Sequence, residues 1–142
     1  MIDDKRHRRI FEKIRGDPFA HSMGIELLEL SDGYSKVAMT VKESMVNFLG
    51  MPHGAAIYAL GDAAFAAAGN SRGEVEVALN VNIHYRSSPK VGSKLIAEGR
   101  REHSGGRTAL YRMTVTTEQG EIIAQAEGLA YRKRESFIEP NE

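Results

Sequence analysis

One acid stands alone in the least polar stretch of the sequence. The seventeen residues 54–70 are rich in Ala, and Asp62 is the single charged residue among them. Burying a carboxylate without a partner costs on the order of several kcal/mol even after relaxation. The chain must therefore pair Asp62 with a cation or use it in chemistry. Pairing with one of the many Arg residues is the commoner solution. A second feature lies eight residues upstream, where Pro52-His53-Gly54 opens the same segment after a loop containing Asn47 and Gly50. At a helix start the first N–H groups lack helical partners and sit at the positive end of the dipole. Gly54 has no side chain to shield its N–H. Such a site can hold a carbonyl oxygen that gathers negative charge during acyl transfer. Gly54 also has a plainer reading as helix-start punctuation, and His53 alone reads as structural.

Other chemistries find no residues to carry them. The sequence contains no Cys, which removes disulfides, thiolate zinc sites and Cys nucleophiles. It holds no Gly-x-Ser-x-Gly, no phosphate-binding Gly-rich loop ending in Lys-Ser/Thr and no dinucleotide fingerprint. His7, His21, His53, His84 and His103 are too scattered for a metal site, so no metal is expected.

The elements that must position Asp62 and Gly54 follow from pattern. Asp3 or Asp4 can cap a short helix running to Ile14, with Ile10, Phe11 and Ile14 as its apolar stripe. Gly16-Asp17-Pro18 ends it. Its basic run (Lys5, Arg6, Arg8, Arg9, Lys13, Arg15) reads as a solvated face, with contact to nucleic acid or a phosphate as the lesser alternative. Residues 25–30 and 34–41 form a hairpin across Ser31-Asp32-Gly33. Residues 47–52 form a loop. Residues 53–70 form a helix that is apolar on nearly all sides and hence buried.

The second half reads as strands. Val77, Leu79, Val81, Ile83 and Tyr85 alternate with Ala78, Asn80, Asn82 and His84, the period of a strand with one face in the core. Turns at 89–92, 104–106 and 119–120 separate further strands at 93–102, 107–117 and 121–134. The tail, 135–142, is polar and expected to fray. This order predicts an α+β fold, an antiparallel sheet of about six strands wrapped around one long central helix. The whole, 1–142, is expected to be one domain: an N-terminal helix over 1–16, a core over 17–134, then the tail.

Asn47-x-x-Gly50-x-x-His53-Gly54, then Asp62, then Phe65-Ala66-x-x-x-Asn70-Ser71-x-Gly73, resembles the hotdog-fold acyl-CoA thioesterases of the phenylacetic acid degradation (PaaI-like) type. The resemblance runs from about Asp17 to Arg132 and takes in Met23-Gly24-Ile25-Glu26 and the Ser104-Gly105-Gly106-Arg107 turn. It implies the hotdog fold and hydrolysis of an acyl-CoA, with no cofactor, coenzyme A being part of the substrate. It also implies roles. Asp62 would activate water or attack the thioester carbonyl, the Gly54 N–H would polarise that carbonyl, and Asn47 and His53 would shape the loop that presents it. Phe48, Gly50 and Phe65, with Leu49 and Met51, fall where the acyl pocket is expected. Arg86, Lys90 and Arg107 are placed to meet the phosphates of coenzyme A, although any surface Arg also reads as merely solvated. Two positions depart from the pattern. The second Gly of the usual His-Gly-Gly is Ala55, and Ala78 stands where some hotdog thioesterases place a Ser or Thr to hold the attacking water. Two other readings remain: a sensor that binds acyl-CoA without cutting it, and a hotdog dehydratase acting on hydroxyacyl thioesters.

Geometry adds a requirement of its own. Eight residues of α-helix rise about 12 Å. A reacting carbonyl must lie within about 3 Å of both its donor and the attacking group. Gly54 and Asp62 of one helix cannot both meet it. If both act, they come from two subunits across a two-fold axis, and the resemblance implies the same, with dimers pairing into tetramers. Composition is compatible with a shared interface. Nineteen basic residues balance nineteen acidic ones, a poor solubility design for a lone small domain and no sign of a general nucleic-acid binder. The charged N-terminal stretch lacks the apolar core of a secretory signal, and the segment 54–70 falls short of the roughly 20 residues of a membrane span. A cytoplasmic protein is the expectation.

Overall fold

The computed structural model describes residues 4–140, so the proposed cap Asp3 and the last two residues of the tail lie outside the described residues. Helix α1 (Asp4–Arg15) turns its Ile10, Phe11 and Ile14 onto a small cluster with Leu30, Ala67, Phe137 and Ile138. This corrects the expectation of a frayed tail. Ile138 is buried, and the Phe137 N–H donates to the Gly73 carbonyl at 3.0 Å. Two apolar residues in a polar run are enough, because α1 leaves an apolar strip for them to cover. The Gly16-Asp17-Pro18 turn ends α1 as expected, but it also starts an unanticipated helix, α2 (Pro18–Met23). Asp17 caps it by accepting the Ala20 N–H at 2.8 Å, Pro18 sits where no helical N–H is required, and Gly24 closes it at φ +74°.

Strands β1 (Glu26–Ser31) and β2 (Tyr34–Thr40) form the expected hairpin. A 3-10 turn (Glu43–Met45) and a loop lead into helix α3 (Gly54–Gly69), followed by β3 (Glu74–Tyr85), β4 (Lys94–Ser104), β5 (Thr108–Thr117) and β6 (Ile122–Ser136). The six strands make one antiparallel sheet in the order β1-β2-β4-β5-β6-β3. Helix α3 packs across it, chiefly on β4, β2 and β5. This is the hotdog arrangement expected above.

Ten of the sixteen α3 residues are buried, so the helix is held from several sides at once. Ile57, Leu60 and Phe65 each contribute about 1.5–3 kcal/mol of burial. Two sheet glycines set the depth of its seat. A Cβ on Gly99 would stand 2.7 Å from the Ala64 carbonyl oxygen, and one on Gly128 would stand 2.7 Å from the Phe65 ring. The buried Ser35 hydroxyl donates to that Ala64 oxygen at 2.6 Å. Helix and sheet are thereby locked in register at the turn that carries Asp62.

Strand β3 departs from its reading. It lies at the edge of the sheet and pairs only with β6. Its register slips at Leu79, between the pairs Ala78–Ala130 and Asn80–Leu129. One extra residue exchanges the two faces of a strand. Val81 and Ile83, beyond the slip, therefore pack on the core, while Val77 and Leu79, assigned to the same face by alternation, remain exposed; Tyr85 keeps step with Ile83 but reaches the start of the helix at Gly54 and stays half-exposed at the sheet end. No helix among the described residues is long and apolar enough to cross a membrane.

Candidate active site

The loop before α3 is tied by Asn47. Its Oδ1 accepts the N–H groups of Leu49 at 2.9 Å and Met51 at 3.1 Å, and its own N–H donates to the Met51 carbonyl at 2.7 Å. Gly50 takes φ +78°, a left-handed turn that a side chain would strain. Phe48 is thereby pushed almost wholly into solvent, at 95% exposure, with Leu49 and Met51 also exposed. None of these three lines either of the two cavities on which Asp62 opens.

His53 is the N-cap of α3. Its Nδ1 accepts the Ala55 N–H at 3.0 Å, and its carbonyl accepts the Ala56 N–H at 3.0 Å. These bonds satisfy the second and third donors of the helix and leave the first. The Gly54 N–H has no acceptor among the described residues. On its other side Gly54 is pinned, since Tyr85 Oη donates to its carbonyl at 3.1 Å and a Cβ would press on the Tyr85 ring at 3.3 Å.

Asp62 lies two turns further on. It is half-buried and makes no hydrogen bond or ion pair with any described residue. Burial, and after it the charge of Asp17, pushes its carboxyl above the usual carboxylate range. Tyr58, one turn before Asp62, has its hydroxyl pushed up by burial and then by the Asp62 charge. Asp62 opens on two cavities. The larger, about 660 Å³, runs between α3 and the α1–α2 junction and is lined by Asp17, Phe19, Ile25, Val37, Ala59 and Ala63 among others. The smaller, about 170 Å³, is lined by Phe65, Asn70, Glu76, Ala78 and Ala130. A carboxylate in such a place, desolvated but not neutralised, is poised as a base or nucleophile.

A family model described as the thioesterase superfamily matches residues 49–124, more than half of the chain. The chain belongs to the thioesterase superfamily. Among its relatives is the acyl-coenzyme A thioesterase PaaI of Escherichia coli, 31% identical over 116 residues that cover 82% of this chain and 83% of that protein. The structure of E. coli PaaI superposes with a TM-score of 0.85 at 28% identity, covering 93% of this chain and 94% of that one. A Streptococcus mutans protein solved with bound acetyl CoA superposes at 0.75 with 27% identity, over 79% of this chain and 90% of its own. The hotdog fold and PaaI-like kinship expected from the motif hold.

Within this thioesterase, one chain does not gather all the residues singled out from sequence. Gly54 and Asp62 share a helix, about 12 Å apart along its axis. Phe65 is buried, its ring tilted against that of Tyr111 at 5.6 Å, and it lines the smaller cavity and not the larger. Arg86 bonds to the Gln125 side chain at 2.8 Å at the end of β3, where the 90–93 turn brings Lys90 to the same end of the sheet. Arg107 is at the far end, bonded to the Arg132 carbonyl at 3.3 Å. The Ile123 and Arg132 backbones beside these two arginines lie nine residues apart on β6, roughly 30 Å of strand. No cluster of metal-ligating side chains occurs among the described residues. Sequence reasoning passed over Glu12, Asp17 and Glu76, the acids that share the Asp62 cavities. Asp17-Pro18 carried a legible signal as a capping acid followed by an N1 proline.

Proposed function

We propose that this thioesterase hydrolyses acyl-CoA esters at sites shared between two copies of the chain. The carrying observation is Asp62, an acid with no counter-ion among the described residues that opens on both cavities from an otherwise apolar helix. Asp62 acts on the thioester in one of two balanced ways. As a base it takes a proton from water while the oxygen attacks the carbonyl carbon. As a nucleophile it forms an anhydride that water then opens. In both, the C–S bond breaks and coenzyme A leaves as the thiolate. The free Gly54 N–H of the partner, at the positive end of its helix, holds the carbonyl oxygen as it becomes charged. Asn47 and His53 keep that N–H presented. No cofactor is needed.

Strand β3 supports the shared site. It is a twelve-residue edge with Val77 and Leu79 exposed, and such edges pair with another chain. Antiparallel pairing of two β3 strands brings the Gly54 end of one chain toward the Asp62 region of the other. It also brings Arg86 and Lys90 of one toward Arg107 of the other, a basic frame for the phosphates of coenzyme A. Phe48 and Gly50 of the loop then approach the partner's acyl cavity, with Phe65 behind Asp62. The expected assembly is a cytoplasmic homodimer, pairing further into tetramers. The kinship with a named acyl-coenzyme A thioesterase and with a structure holding acetyl CoA supports the substrate class.

A panel of acyl-CoA esters read with a thiol reagent tests the reaction, beside Asp62→Ala, which should fold and be nearly inactive. Thermal protection by acyl-CoA without thiol release would instead mark a sensor. A mixing experiment tests the sharing. Gly54→Pro removes the N–H yet suits the first helical position, whereas Gly54→Ala keeps the N–H and meets the same Tyr85 ring. Gly54→Pro alone should be inactive and Gly54→Ala active. Refolding Gly54→Pro together with Asp62→Ala should restore about a quarter of wild-type activity, because half of the dimers are mixed and each has one intact site. No recovery would place both groups in one subunit.

A further inference from the structure

The larger cavity beside Asp62 has two unlike walls. One is apolar, formed by Ile25, Leu27, Val37, Ala59 and Ala63. The other is the α1–α2 junction, where Asp17 sits. One Asp17 oxygen is committed to the Ala20 N–H at 2.8 Å, and Asp17 makes no ion pair with a described residue. The remaining charges around Asp62 are accounted for. Glu12 and Arg15 pair with each other at 3.3 Å, and Glu76 on β3 is held by Arg132 at 3.1 Å. Lys13 lines the larger cavity from the exposed side of α1, and Tyr58 on α3 adds a hydroxyl that burial, and then the Asp62 charge, pushes up. Of these groups, Asp17 is the one whose charge acts on Asp62.

We propose that Asp17 is a positioning and specificity-determining residue: its carboxylate lines the larger cavity on which Asp62 opens, the cavity whose apolar wall suits an acyl chain, and turns away acyl groups that end in a carboxylate. The proposal rests on the reading of Asp62 as the acting acid. The physical case is Coulombic. Two like charges on one largely apolar cavity disfavour each other's ionised form and raise the basicity of the less solvated one. Asp17 is the more exposed of the two and Asp62 the more desolvated, so burial first and then the Asp17 charge raise the basicity of Asp62. An entering acyl chain displaces water between them and sharpens the effect. A third carboxylate at the end of that chain adds a further like charge to the same cavity. The class favoured is therefore acyl groups without an acidic end.

Asp17→Asn and Asp17→Ser separate charge from structure, since both side chains cap a helix about as well as Asp. Expected for both are an unchanged melting temperature, an acid limb of the kcat/KM profile displaced to lower pH, and a ratio of kcat/KM for succinyl-CoA over hexanoyl-CoA raised roughly threefold to tenfold. An acid limb that stays in place, or an unchanged ratio, overturns the assignment. Asp62→Asn is measured alongside. If it is inactive while the Asp17 variants match wild type, Asp17 alone has been misassigned. If Asp62→Asn stays active, the reading of Asp62 has failed first.

Discussion

Asp62 and Glu76 line the same small cavity, one from α3 and one from β3, yet they are treated in opposite ways. Glu76 is fully engaged. Arg132 Nε donates to it at 3.1 Å and Tyr111 Oη at 2.9 Å, while Asn70 fastens its backbone on both the N–H and the carbonyl side. Arg132 is held in turn by the Gly105 carbonyl and by Ser104 Oγ. Burial, and then the Glu76 charge, pushes the Tyr111 hydroxyl up to about 12, so it stays a donor. Asp62 receives none of this. The fold can satisfy a buried acid, and does so two turns away. Leaving Asp62 without a partner among the described residues is therefore a local property that stability does not explain, and the proposed role in reaction rests on it.

The comparison can be broken most directly at Asp62. Asp62→Asn should lower kcat by roughly 10²–10⁴-fold while raising the melting temperature by a few degrees at neutral pH. The sign follows from the raised carboxyl. A group more easily protonated in the fold than in the unfolded chain loses stability as pH rises through that window, and the loss persists at neutral pH. Below the ordinary carboxylate range the two proteins should melt alike. A melting temperature lowered at neutral pH would show that Asp62 is structural after all.

Glu76→Ala should do the reverse. It strands the half-buried Arg132 guanidinium and should cost about 3–5 kcal/mol by denaturant titration, with the folded fraction still turning over. A folded, stable and inactive Glu76 variant would move the catalytic assignment to β3. The smallest effect is expected at Asp32, a surface acid between Arg72 at 2.8 Å and Arg101 at 2.9 Å. The Arg72 guanidinium, and then that of Arg101, holds its carboxyl below the usual range. Asp32→Asn should cost about 0.5–1 kcal/mol at neutral pH, less in high salt. That contribution should vanish as acid carries the solution through the depressed carboxyl. A larger loss would mean that the exposed pair matters as much as the buried one.

Much of this was legible because it is local. The Ala-rich run with one acid, the Pro52-His53-Gly54 start and the Asp-Gly and Gly-Gly turns each act through neighbours a few residues away, and the structure carries them at the expected positions. The misses have longer reach. Alternation in β3 was read as one continuous face, but the slip at Leu79 is imposed by pairing with β6. Phe137 and Ile138 looked like tail until α1 supplied a surface for them. Asp17 read as the end of one helix and proved to be the cap of the next, which aims it at the larger Asp62 cavity.

The sequence by itself determined the apolar rod, the acid within it, the donor-rich start eight residues earlier, and the motif that ties the chain to its family. These are properties of spacing, and helix geometry converts spacing into distance. Tertiary structure alone decided that Glu76 would find Arg132 and that Asp62 would find no partner among the described residues, because ion pairing depends on which strands lie beside the helix. It likewise put β3 at the sheet edge, paired on one side only, since strand order is set by packing over the whole sheet and cannot be read from any one strand.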